Sequence, residues 1–203
     1  MSDRPRIGVS ACLLGERVRY DGGEKRDAWL TDVLGPRVEW VPVCPEVEAG
    51  LGTPREPMNL GRDAGGRVVL LTDRVRDDLT ATISEYSALR VERLAASQLD
   101  GYVLKAGSPS CGLDVPIRPA LSGPACASTA EPGGRGLFAA ALTRRLPHLP
   151  VADERQLADP DLRESFVARV FAHHRARILH PQDRAFRPGR ALAPKPRTDF
   201  PPT

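Results

Sequence analysis

Residues 99–112 read "LDGYVLKAGSPSCG". The Tyr-Val-Leu run after a glycine is short and apolar, the composition of a buried strand. It gives way at once to two glycines, a proline and two serines, which force a tight loop. That loop carries Cys111, so a thiol is placed just beyond the end of a strand.

Two other segments repeat the arrangement. "RPRIGVSAC" (4–12) reads as a strand ending at Cys12, and "RVEWVPVC" (37–44) as a second ending at Cys44. Helical spacing appears between them and Cys111. Asp27 to Leu34 predicts a short helix. From Thr72 to Ser97, Val75, Leu79, Ile83, Tyr86 and Leu94 fall on one stripe. "PEVEAGLGTPREPMNLG" (45–61) is too rich in proline and glycine for a long helix and reads as an ordered loop with one helical turn. "GRVVLLT" (66–72) is a strand or half of a hairpin, "GRGLFAAALTRRL" (134–146) a helix, and "HLPVA" (148–152) an edge strand. A last helix starts at Pro160 with Asp159 as its cap. Leu162, Phe166 and Val170 are its buried face, backed by Val167 and Phe171.

Strands alternating with helices predict an α/β fold, a three-layer Rossmann-like domain around a mostly parallel sheet, with a C-terminal helix and a disordered tail. The expected divisions are an α/β domain over 1–155, a helical extension over 156–180 and a tail over 181–203. From Arg175 onward there are seven Lys or Arg and two Asp, a net +5 that leaves −2 for residues 1–174. The body therefore has no bulk basic character of the kind nucleic-acid binding needs. The same final stretch holds six prolines, so its basic charge reads as a solvated tail, with RNA contact as the rival role. The first residues, "MSDRPRIGVSACLLG", contain no apolar run of signal-peptide length, which predicts a cytoplasmic protein. A reducing compartment opposes disulfides among four widely spaced cysteines.

A buried free cysteine ordinarily serves as a small hydrophobe. Three at equivalent strand ends are harder to assign that way, because parallel strands deliver their carboxyl ends to one edge, where α/β folds bind ligands. The spacings match no short zinc pattern and no Cys-x-x-Cys redox pair. Soft thiolates select zinc, copper(I) or iron–sulfur clusters. A tetrahedral zinc site wants a fourth ligand, and the four histidines all lie late in the chain. A [4Fe–4S] cluster can be held by three cysteines with one iron left open. Cys126, in "ALSGPACASTAEPGG" (120–134), reads as an incidental thiol in a small-residue loop, with a fourth ligand as the rival reading. Glu46 in "CPE" and Ser108 in "SPSC" flank two of the thiols. A carboxylate there could move protons and a hydroxyl could orient substrate. A helix N-terminal carboxylate and a turn serine are the plain alternatives. Arg19, Lys25, Arg55 and Lys105 could meet a polar substrate or simply face solvent. His173 and His174, near a helix end, complement its dipole.

"VSACLLGERVRYDGGEK", "VPVCPEVEAGLGTPREP" and "KAGSPSCG", in this order, resemble the thiouracil desulfidase family, long catalogued as a domain of unknown function; the likeness covers residues 6 to 152. The resemblance implies an α/β domain with an oxygen-sensitive [4Fe–4S] cluster on Cys12, Cys44 and Cys111. Its open iron would take sulfur from a thiolated pyrimidine base such as 2-thiouracil, and water would supply the replacing oxygen. Glu46 and Ser108 match the motif positions tied to catalysis. Residues 136–175 resemble longer members in which a second, helical domain follows; the chain stops soon after that domain's first helix, so it is expected to be truncated here. The stretch from Ile117 to Arg135 departs from the family pattern.

Overall fold

The computed structural model describes residues 4–63, 65–119 and 131–179. In chain order its strands are β1 (Arg6–Ser10), β2 (Glu39–Val43), β3 (Met58–Arg62), β4 (Val68–Thr72), β5 (Gly101–Leu104), β6 (Val115–Pro119), β7 (Glu131–Gly134) and β8 (Val151–Asp153). The α-helices are α1 (Pro45–Glu48), α2 (Thr80–Ala96), α3 (Leu137–Arg145) and α4 (Pro160–Leu179). The helical segment expected over Asp27–Leu34 is a single wide π-type turn, Trp29–Leu34.

Strands β2-β1-β5-β8 form one four-stranded sheet in that order, every neighbour parallel. Side chains alternate across it with period two. Ile7, Val9 and Val103 enter a core with Leu30, Leu34, Phe166 and Val170. Val43, Tyr102 and Leu104 enter another with Val91, Leu94, Phe138 and Leu142. Both faces are covered, as a parallel sheet requires, and the three-layer α/β expectation holds. Gly8 pairs with Tyr102 across the sheet, and a Cβ there would lie 2.2 Å from the Tyr102 ring. Only glycine leaves room for that ring beside β1. The segment "HLPVA" supplies the edge strand β8.

A second sheet, β4-β3-β6-β7, is not evident from the sequence. Its strands β3 and β4 form an antiparallel hairpin, β3 runs parallel to β6, and β6 antiparallel to β7. Glycine, proline and arginine interrupt "MNLGR", "VPIRP" and "EPGG", so local propensity points away from strand and long-range pairing decides. The buried side of this sheet gathers Met58, Leu60, Leu70, Val115 and Ile117 around Ile83 of α2.

Helix α2 begins at Thr80, not Thr72. Residues 73–79 form a turn instead, held by Glu56, whose carboxylate accepts the N–H groups of Arg74 and Val75, and by Thr72 Oγ1, which accepts from Asp77 at 2.9 Å. Val75 keeps helical spacing to Leu79 by coincidence and is 68% exposed. Ser87 and Val91 complete the buried stripe with Ile83 and Leu94.

Asp159 caps α4 as expected, its Oδ1 accepting from Asp161 N at 2.9 Å and Leu162 N at 3.2 Å. Phe166 and Val170 are buried, but Leu162 is 51% exposed, while Leu157 of the preceding 3-10 turn (Gln156–Ala158) enters the core. The next residue on the buried face is His174. His173 and His174 answer a carboxylate, not only the helix dipole. Asp100, fully buried at the start of β5, accepts the Arg6 N–H at 2.9 Å and the Arg177 guanidinium at 2.8 and 2.9 Å. The Nδ1 atoms of His174 and His173 lie 3.0 and 3.4 Å from its two oxygens. Burial works to raise this carboxyl, but the bonds from His173, Arg177, Arg6 and His174 outweigh it and hold it well below the usual range.

Among the described residues no helix is long and apolar enough to cross a membrane. Cys126 and the tail over 181–203 lie outside the described residues.

Replacing Asp100 with Asn removes the buried carboxylate that the Arg177 guanidinium, the two histidines and the Arg6 N–H all address. Urea unfolding should show a loss of about 3–5 kcal/mol, the scale for breaking a buried charge pair from one side. Because the folded carboxyl titrates below its unfolded value, the anchor is fully present above about pH 4 and fades as pH falls further.

Candidate functional site

The thiol-bearing loops leave the parallel sheet at its carboxyl edge. Cys12 follows β1 in a 3-10 turn, Ala11–Leu14, that closes at Gly15 with φ +95°. Cys44 follows β2 and is the N-cap of α1. Cys111 ends the loop after β5, where Gly107 takes φ +69° and Gly112 N–H donates to Ser108 O at 2.7 Å. A Cβ at Gly112 would lie 2.8 Å from that same carbonyl, so the loop can close only with glycine there.

All five residues singled out by sequence, Cys12, Cys44, Cys111, Glu46 and Ser108, line one cavity of about 310 Å³. Of the four candidate cations, Arg19, Arg55 and Lys105 line it too, while Lys25 does not; its backbone N–H donates to Cys12 O at 2.9 Å. The sequence reading misses Ser10, Tyr20 and Asn59, which complete the polar part of the wall. Ser10 is buried, and its Oγ accepts Lys105 N–H at 2.9 Å, locking β1 to the start of the β5 loop. Asn59 lies on β3, a strand without sequence signal, so nothing local pointed to it.

Glu46 and Ser108 are joined. Ser108 Oγ accepts the N–H groups of Cys111 at 3.1 Å and Ser110 at 3.3 Å, and donates toward Glu46 Oε1 at 3.5 Å. The other carboxylate oxygen, Oε2, is taken by Arg55. Glu48 steadies the same helical turn: its Oε1 accepts Cys44 N–H at 2.9 Å, and α2 grips its other oxygen through the Tyr86 hydroxyl and Arg90. Tyr86, placed on the core stripe by its spacing, thus serves as a polar tether as well. Lys105 pairs with Glu154 beyond β8, and that carboxylate also accepts Ala106 N–H at 2.7 Å.

Burial pushes the Cys12 thiol up to about 11, with charge on Cys44 adding to the rise and Lys105 and Arg19 opposing it. Burial likewise raises Cys44 and raises Cys111 well above the usual thiol range. Three thiols that resist ionisation separately, facing one cavity, have the donor chemistry of a site for a soft cationic group. Among the described residues, no three His, Cys, Asp or Glu side chains are gathered closely enough to share a single metal ion.

The family model described as 2-thiouracil desulfurase matches residues 7–154. The chain is similar to the solved structure of the [4Fe-4S]-dependent thiouracil desulfidase TudS, at 33% identity and a TM-score of 0.61, over 81% of this chain and 99% of that one. It is also 29% identical over 110 residues to the uncharacterized protein YbbK of Bacillus subtilis (strain 168), 52% of this chain and 72% of that protein.

A thiol whose folded pKa is raised stabilises the fold fully below the unfolded value and loses that contribution as pH rises through the folded one. The metal-free protein should therefore weaken between pH 9.0 and about 11, by roughly 2–3 kcal/mol from Cys12 alone, in urea unfolding. A Cys12→Ser variant should lose the share of that slope that Cys12 contributes, with Cys44 and Cys111 still supplying the rest.

Proposed function

The chain belongs to the 2-thiouracil desulfurase family, and on that premise we propose that it removes sulfur from the thiocarbonyl of a thiolated pyrimidine base. The observation that carries the reading is a carboxylate and a serine hydroxyl, 3.5 Å apart, on the wall of the cavity that three strand-end thiols share. A cavity of about 310 Å³ lies at the small end of the range for small-molecule sites.

Cys12, Cys44 and Cys111 would hold a [4Fe–4S] cluster, one thiolate per iron. When bound, such a cluster supplies an open, thiophilic iron that acts as Lewis acid toward thiocarbonyl sulfur. Everything else falls to the chain's own groups. Ser108 receives two backbone N–H bonds, so its hydroxyl hydrogen is directed into the cavity, toward Glu46 or a substrate heteroatom. Glu46 Oε1 accepts the proton of the water that replaces sulfur. The net change converts C=S and water into C=O and hydrogen sulfide; no electrons are gained or lost.

Anaerobic reconstitution should give about four iron and four acid-labile sulfide per chain, with conversion of 2-thiouracil to uracil. No iron uptake, or a loaded protein that leaves 2-thiouracil unchanged, would remove this reading. Replacing any one of Cys12, Cys44 and Cys111 with Ser should abolish the visible cluster spectrum, and full loading would clear that cysteine of the role. Glu46→Gln should keep the spectrum and lower kcat by about 10²–10⁴-fold, the range for general-base catalysis.

A further inference from the structure

We infer that Arg55 is the positioning residue of this site: it occupies one oxygen of Glu46 and so leaves Oε1, the oxygen beside Ser108, as the cavity's proton acceptor. The inference rests on the proposed role of Glu46. An arginine on a cavity wall would ordinarily be assigned to substrate. Here every donor is already committed. Nε donates to Glu46 Oε2 at 3.0 Å, and Nη2 donates to that same oxygen and to Val18 O at 3.0 Å. Nη1 donates to Gly52 O at 2.8 Å and to Thr53 Oγ1 at 3.2 Å. A guanidinium has five N–H groups, and these contacts use all of them. None is left for a substrate carbonyl or phosphate.

The form of the pairing matters more than its existence. Arginine usually straddles a carboxylate, one donor on each oxygen. Arg55 instead brings both donors to Oε2, and Oε1 is left to Ser108 at 3.5 Å. The two side chains are only 8% and 12% exposed, so water does little to loosen the geometry. The guanidinium is itself fixed from the backbone side, where Arg55 N–H donates to Tyr20 O at 2.8 Å. Val18 O, which accepts from Nη2, also receives the Cys44 thiol at 3.7 Å. One carbonyl thus ties the arginine to the residue that leads into α1. Lysine would preserve the charge but not the planar fork that addresses one oxygen, two carbonyls and a hydroxyl together.

The test is a double-substitution cycle on the reconstituted holoenzyme, with Arg55→Ala, Glu46→Gln and the pair. Arg55→Ala should retain the cluster spectrum and lower kcat about 10–100-fold, the scale for losing an outer partner that orients a working group of a site, with KM changed less than about threefold. In the Glu46→Gln background the same substitution should change kcat by less than about threefold, because it acts only through Glu46. Added guanidinium at millimolar concentration should restore part of the Arg55→Ala rate, and Arg55→Lys should fall between wild type and Ala. A crystal structure of Arg55→Ala should show the Glu46 carboxylate turned away from Ser108, a result independent of turnover.

Multiplicative losses in the pair would overturn the proposal, as would a raised KM with unchanged kcat, which would make Arg55 a substrate ligand. So would loss of the cluster spectrum in both the Ala and Lys variants, which would make its role structural. A wild-type holoenzyme inactive on 2-thiouracil would fell the functional reading and this inference together, whereas wild-type turnover with independent losses would fell the inference alone.

Discussion

Four strands that run in one direction must all end at one edge, and the rest of this molecule follows from that constraint. Loops after β1, β2 and β5 carry Cys12, Cys44 and Cys111, and the segment after β8 brings Glu154 to Lys105. An antiparallel sheet with the same sequence of loops would divide these groups between two ends. Parallel strands also need both faces covered, which explains why Val9 and Leu104 serve opposite cores although each ends close to the site.

The two edges of the sheet are stabilised by different means. At the amino edge, Asp100 draws together β1, β5 and α4 through Arg6, His173, His174 and Arg177, so its buried charge is fully answered. At the carboxyl edge, Cys12 and Cys111 are buried and Cys44 half-buried, and desolvation drives each thiol toward its protonated form.

Much of the site could be read from local sequence because its pieces are local. A strand, a glycine-rich turn and a cysteine lie within a dozen residues at Cys111, and one topological argument joins three such pieces. Glu46 and Ser108 come with them, each within three residues of a thiol. What could not be read depends on contacts across long separations. Asp100 and His174 are 74 residues apart, and nothing near either announces the other. Strands β3, β6 and β7 carry glycine and proline where propensity asks for β-branched residues, and only their pairing makes them strands. Val75 fits a helical period and is not in the helix, because the Glu56 carboxylate captures its N–H and delays the helix start.

Arg55 shows how a sequence can place a residue and still conceal its task. It lies nine residues from Glu46 in one continuous motif, so proximity was to be expected. Whether it faced solvent, substrate or a carboxylate depended on the carbonyls of Val18 and Gly52, which only the folded loops bring within reach. The same logic extends along the cavity wall. Arg19 lies 3.4 Å from Asp21, and Lys105 is paired with Glu154. Each lining cation therefore has a carboxylate beside it, and for Arg55 and Lys105, whose pairs are shielded from solvent, positive charge is held in place near the thiols. A field fixed in this way costs no reorganisation when charge develops in the cavity, which is the condition under which electrostatic stabilisation acts most strongly on a reaction.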